Sequence, residues 1–133
     1  MKILYENPPN IEAIRIAFPT AIGKVTYAYG NTIYNPDKFL LEPQNLAHEA
    51  VHEKQQEEYG VLLWWERYIA DPEFRAEQEL PAYREEYRVV KKNKGREEAS
   101  KAARRFANVL SGSNYGECVS FRDALSFIIG SVI

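Results

Sequence analysis

Histidine and cysteine are scarce: the chain of 133 residues holds two histidines and a single cysteine. Cys118 has no partner for an internal disulfide, so no disulfide framework holds this fold and a reducing compartment is expected. Long hydrophobic runs are missing too. No apolar stretch approaches the roughly 20 residues that span a bilayer, and the short run in "MKILYENPPN" is cut by Glu6 and two prolines, too brief for a secretory signal. Nor is there an excess of one charge: a formal net charge of -2 gives no general pull toward nucleic acid or anionic lipid. No repeat, linker or low-complexity tract interrupts the chain. These absences set the first expectations: one domain over residues 1–133, cytoplasmic, with neither membrane nor nucleic acid as partner.

What is present is a 45% hydrophobic, 27% charged composition of ordinary globular type, with aromatics at 13%. Near the start, "NPPNIEAIRIAF" sets Pro8 and Pro9 ahead of Ile11, Ile14 and Phe18 at near-helical spacing. "KVTYAYGNTIYNP" is β-branched and aromatic, and its Gly30-Asn31 pair predicts two short strands about a tight turn or one bulged strand. From Pro43 the pattern turns helical and stops at Gly60, with Leu46, Ala47, Ala50, Val51 and Lys54 marking one partly apolar face. "VLLWWERYIA" predicts a short apolar helix. Asp71-Pro72-Glu73 then opens a helix running to about Lys92: an N-cap carboxylate, proline at the first turn, and an acid against the dipole. Pro81 inside it predicts a kink. A further helix ends at Gly112, and Ser120 with Asp123 starts a last, apolar one. The predicted fold class is α+β, mainly α.

Both histidines stand in "LAHEAVHEKQQ", four residues apart, with Glu49 directly after the first. Residues four apart lie one helical turn above each other, so His48 and His52 can reach one ion from the same side. Zinc takes neutral imidazole nitrogen readily and prefers about four ligands. Glu49, next to His48 around the helix, is placed to act as general base on a water that the ion activates. The bland alternative is a solvated helix face with paired polar residues.

No third histidine exists, and Gln55 and Glu58 occupy the positions where the H-E-x-x-H-x-x-G-x-x-H form needs glycine and histidine. A carboxylate from a later helix must therefore complete a His₂Glu set. Glu77 and Glu79 are the candidates, and periodicity alone does not separate them. Asp71 ranks behind both because it already has a role as N-cap.

The ordered set "HEAVHEKQQ", an aromatic helix ending "DPEFR", "EQELPAY" and then "NYGECVSFRDAL" resembles the small zincin-like metallopeptidases of the gluzincin kind, more narrowly the short ones encoded in tailed-phage and prophage genomes. The resemblance covers most of the chain from Thr26 onward. It implies a zincin-like domain with a small β element beside the H-E-x-x-H helix, Zn(II) as cofactor, His48 and His52 as ligands, Glu49 as base, and a peptide or protein substrate, in host cytoplasm if phage-encoded. It favours Glu79 as third ligand, with Glu77 in reserve. Pro81 departs from the pattern and puts the local helix register in question.

Other features carry plainer expectations. Trp64, Trp65, Tyr68 and Ile69 read as core before pocket. The basic residues between 84 and 105 are interleaved with Glu85, Glu86, Glu97 and Glu98, a solvated surface. Gln55 and Gln56 decorate the motif helix, with a bond to a group behind a ligand as their possible use. Tyr115 or Tyr83 could offer a phenol to a developing oxyanion, against a packing role. "VTYAYGNTIY" is the segment that could align a peptide by β-addition.

Overall fold

The computed structural model describes residues 1–19 and 25–130. It is mainly helical with a small three-stranded sheet, as the α+β expectation holds. Strands β1 (Lys2–Leu4), β2 (Tyr27–Tyr29) and β3 (Thr32–Tyr34) lie in the order β1-β3-β2. Helix α1 (Ile11–Ala17) precedes β2, and α2 (Pro43–Tyr59), α3 (Val61–Ala70), α4 (Pro72–Lys94), α5 (Arg96–Leu110) and α6 (Phe121–Ile129) follow the sheet. Among the described residues, no helix is long and apolar enough to cross a membrane.

The Gly30-Asn31 pair makes a two-residue hairpin, with Ala28 facing Ile33 and Tyr29 facing Thr32. Gly30 takes a φ of 62°, which glycine adopts without the steric penalty of a side chain. β1 was not foreseen. It pairs parallel to β3, Ile3 against Ile33, and three residues are too few to show a strand period. Lys24, at the head of the expected β segment, lies outside the described residues, as do positions 131–133 of the expected last helix.

α2 ends where glycine allows a reversal: the Gly60 amide donates to the Gln56 carbonyl at 2.8 Å, and its φ of 86° turns the chain straight into α3. Asp71 caps α4, its side chain accepting from the Glu73 amide at 3.0 Å, and Ser120 caps α6 through the Asp123 amide at 3.0 Å. α4 runs unbroken through Pro81. Proline has no N–H to give the Glu77 carbonyl, so the helix loses one bond there without losing its assignment. Glu79, two residues earlier, therefore stays in helical register with Arg75, Tyr83 and Glu86.

Among the described residues, two apolar clusters form the core. One joins α4, α5 and α6 through Ala76, Val90, Ala103, Phe106, Leu110 and Ile128. The other gathers Ile14, Trp64, Trp65 and Phe74 near the sheet. α2 contributes to neither. Its buried residues are Gln44, His48, Glu49, His52 and Gln56, while Leu46 is exposed and the Leu46/Ala47/Ala50/Val51 side faces outward or is half-covered. The face turned inward is thus the polar one, repeating every fourth residue from Gln44 to Gln56. Partners on α4 and β2 make this possible, because a buried polar group is tolerated when hydrogen-bonded.

Candidate metal centre

His48 and His52 present their Nε2 atoms to one carboxylate oxygen. Glu79 Oε1 lies 3.1 Å from His48 Nε2 and 2.9 Å from His52 Nε2. All three residues are buried, and their candidate ligand atoms lie within 4.8 Å of one another. α2 supplies both imidazoles from successive turns and α4 supplies the carboxylate, so the cluster spans the contact between two helices. The rings are held from the sides. His48 packs edge-on to Tyr83 at 4.6 Å between centroids, and His52 lies 5.3 Å from Trp64. Tyr83 leans on the α4–α5–α6 cluster and Trp64 belongs to the other, so the histidines sit on the seam between the two cores.

Each of the three side chains also meets a polar group at its far end. The Tyr68 hydroxyl donates to Glu79 Oε2 at 2.6 Å, leaving Oε1 for the histidines. His52 Nδ1 lies 2.8 Å from Gln55 Oε1. His48 Nδ1 stands 2.8 Å from Glu86 Oε1, an ion-pair distance without hydrogen-bond alignment. Such outer contacts fix ring orientation and ligand basicity in metal sites.

The charges answer one another. Burial alone would lower the His48 and His52 pKa values, but the bonds and charge of Glu79, with Glu86 beside His48, hold both above the usual imidazole range. Burial would raise Glu79, yet the two imidazoles hold it well below the usual carboxylate range. Glu49 goes the other way: burial pushes it up against the pull of His48 and His52. Its Oε1 accepts from the Thr26 hydroxyl at 3.1 Å. Burial and the Glu79 charge raise Tyr68, Tyr83 and Tyr115, so all three remain neutral phenols that can donate.

The cluster opens onto a cavity of about 610 Å³, walled by His48, Glu49 and Glu79 on one side and Phe18, Tyr27 and Phe106 on others. Tyr83 and Tyr115 both line it. So do Trp64, Trp65 and Tyr68, although the two tryptophans are also core. Glu77 is exposed and stands apart from the cluster, and Asp71 is exposed at the α4 cap. Arg75 reaches the same cavity but is spent on carbonyls, donating to Tyr68, Ile69 and Asn114.

The β segment meets α2 through Gln56. Its Nε2 donates to the Ala28 carbonyl at 2.8 Å and its Oε1 accepts from the Gly30 amide at 2.7 Å. Trp65 Nε1 donates to the same Ala28 carbonyl at 3.1 Å. The β2 edge is therefore closed to a further strand at Ala28, within the segment expected for β-addition.

Thr26 was not singled out by the sequence, and Glu86, expected on a solvated surface, instead turns its side chain inward to His48 and the cavity. Glu86 carries a retrospective signal, since it falls seven residues after Glu79 and so on the same helix face. Thr26 carries none, because its approach to Glu49 depends on how the hairpin docks.

The donor set suits zinc. Two imidazole nitrogens and one carboxylate oxygen are the ligands of a catalytic His₂Glu site with a position left open. The observed separations of 2.9 and 3.1 Å approach the roughly 3.3 Å edge of a tetrahedron with bonds of about 2.0–2.1 Å. Comparison with family models, with curated proteins and with solved structures returned no match.

Proposed function

We propose that the protein is a zincin-like metallopeptidase that hydrolyses peptide bonds, with His48, His52 and Glu79 as zinc ligands and Glu49 as general base. One observation carries this reading: a single oxygen of Glu79 meets the Nε2 atoms of both histidines, with the Glu49 carboxyl buried next to them. A bound zinc ion would supply Lewis acidity there, lowering the pKa of water and polarising a carbonyl.

The chain's own residues divide the remaining work. His48, His52 and Glu79 bind, and Tyr68, Glu86 and Gln55 orient them. Glu49 takes a proton from the attacking water and delivers it to the leaving amine, a role helped by burial that brings its pKa closer to neutrality. Thr26 steadies the Glu49 carboxylate through its hydroxyl. Tyr83 or Tyr115, neutral and facing the cavity, offers a phenolic hydrogen bond to the oxyanion. The cavity's aromatic walls accommodate apolar side chains of a peptide or protein substrate. The phage or prophage origin implied by the resemblance belongs to the same proposal.

Glu49→Gln tests it. The variant is expected to hold zinc as tightly as the parent and to cleave a peptide library at least 100-fold more slowly, on the order of a lost general base. Equal cleavage rates would sink the mechanism. A parent that binds zinc and cleaves nothing would support a second reading, a phage accessory protein that keeps the scaffold and the metal without the reaction. The closure of the β2 edge by Gln56 and Trp65 is the observation that favours it.

A further inference from the structure

Gln55 sits between the two ligand helices, and the chemistry of its neighbours fixes which way its amide points. Gln55 Nε2 lies 2.9 Å from the Gln78 main-chain carbonyl. A carbonyl oxygen only accepts, so the amide nitrogen must face it and Oε1 must face His52 Nδ1, 2.8 Å away. Oε1 is itself only an acceptor. His52 Nδ1 must then carry a proton, and the imidazole's remaining nitrogen, Nε2, is the one that faces Glu79 and the cavity. Gln78 is held in turn: Trp64 Nε1 donates to its side-chain oxygen at 2.9 Å. The relay thus runs from the buried indole through Gln78 and Gln55 to His52.

We propose that Gln55 is a positioning residue, a neutral amide that locks His52 in the Nδ1–H form and ties that ring to the backbone immediately before Glu79. The consequence for metal rests on the zinc reading above; the amide relay does not. A carboxylate in this place would also accept from Nδ1, but it has no donor for the Gln78 carbonyl and would set two oxygens against each other. A neutral amide satisfies both partners at once. It also couples ring orientation to the helix that brings the carboxylate, so that two ligands move together. Gln55 is half-buried, lies on α2 one turn beyond Val51 and is not among the residues lining the cavity, so its role is to hold the ring and not to touch substrate.

The test uses the full chain with ¹⁵N-labelled histidine, where only two imidazoles need assignment and His48→Gln separates them. In metal-free parent protein the His52 Nδ1 proton is expected as a resolved, exchange-protected resonance. Gln55→Leu, which removes the acceptor, should abolish that exchange protection and weaken zinc binding, measured by competition with a chromophoric chelator, by roughly 10- to 100-fold. Gln55→Glu, which retains the acceptor, should keep the resonance and bind zinc with an affinity between the two. Should Gln55→Leu misfold, Gln55→Glu alone decides, since wild-type affinity in it overturns the need for the Gln78 tie. Unchanged Nδ1 signal and zinc affinity in Gln55→Leu overturn the proposal outright. A parent that binds no zinc overturns the metal reading and the positioning role with it, while the Nδ1 resonance separately reports whether the relay exists.

Discussion

Glu79 and Glu77 are two residues apart on one helix, and the difference between them is rotational. Two residues turn a helix by about 200°, enough to move a side chain from the buried face to water. Glu79 points at both imidazoles while Glu77 is solvent-exposed. Glu79→Gln removes the negative charge of the proposed third ligand and leaves two buried histidines facing a neutral amide. It should lower zinc affinity by several orders of magnitude, whereas Glu77→Gln should leave it within about twofold, both read by equilibrium dialysis against zinc. A strong loss in Glu77→Gln with retention in Glu79→Gln would reverse the ligand assignment. At this scale the sequence was legible where spacing does the geometry: His48, Glu49 and His52 follow from helical pitch alone. It was silent where geometry comes from another element, as with Thr26. The choice between two glutamates that periodicity left open was made by the resemblance, which favoured Glu79, the one the structure brings to the histidines.

Among elements, α2 is anchored at its start by contacts reaching 52 residues along the chain. Glu42 precedes the helix; its amide donates to Asn45 Oδ1 at 2.9 Å, and its carboxylate meets Lys94 Nζ, at the end of α4, at 2.9 Å. The hydrogen bond and charge of Lys94 lower the Glu42 pKa. A carboxylate depressed in the folded state contributes stability above its unfolded pKa, and that contribution is lost as pH falls through the folded value. Lys94→Met should therefore return the Glu42 titration, followed by NMR, toward the ordinary carboxylate range. It should narrow the stability difference between pH 6 and pH 3 by a small amount, as suits an exposed, screened pair. An unmoved Glu42 titration would show that the contact is not populated in solution. Helix limits were legible because their punctuation is local: Pro43, Gly60, Asp71-Pro72 and Ser120 each act within one turn. The inward face of α2 was not, because the sequence rule that apolar residues face inward fails when buried polar side chains find partners on α4 and β2. Gln56, expected to decorate the motif helix and bond a group behind a ligand, is instead fully buried between Ala28 and Gly30 for that reason.

At the scale of the whole molecule, the two apolar clusters and the cavity between them are a property of the three-dimensional arrangement. The sequence indicated a mainly helical chain with a small β element, and the mixed pattern was readable from the change of period near Pro43. It did not indicate the parallel pairing of β1 with β3, a contact over some thirty residues with only three residues per strand. Nor did it indicate that two separate cores would flank the histidines, since Trp64 and Tyr83 sit in different helices and only packing brings them to opposite sides of the pair.

The polar inward stripe of α2 has a consequence for how the molecule breathes. Hydrocarbon burial is what usually holds a helix to its neighbours, at about 25 cal/mol per Å², and α2 has little of it on its interior side. Without metal, its attachment depends on hydrogen bonds and on the His–Glu contacts, each of modest net worth. α2 should then open as a local unit at lower free energy than α5, whose interior is alanine, phenylalanine and leucine. Amide hydrogen exchange should find α2 protons exchanging faster than those of α5 in metal-free protein. Zinc at 100 times its Kd should close that gap, stabilising the folded state by about 2.7 kcal/mol through mass action. Equal protection of the two helices before metal is added would contradict it. The proposed ion would then act as a clasp, seating by ligation a helix that its own apolar contacts hold only lightly.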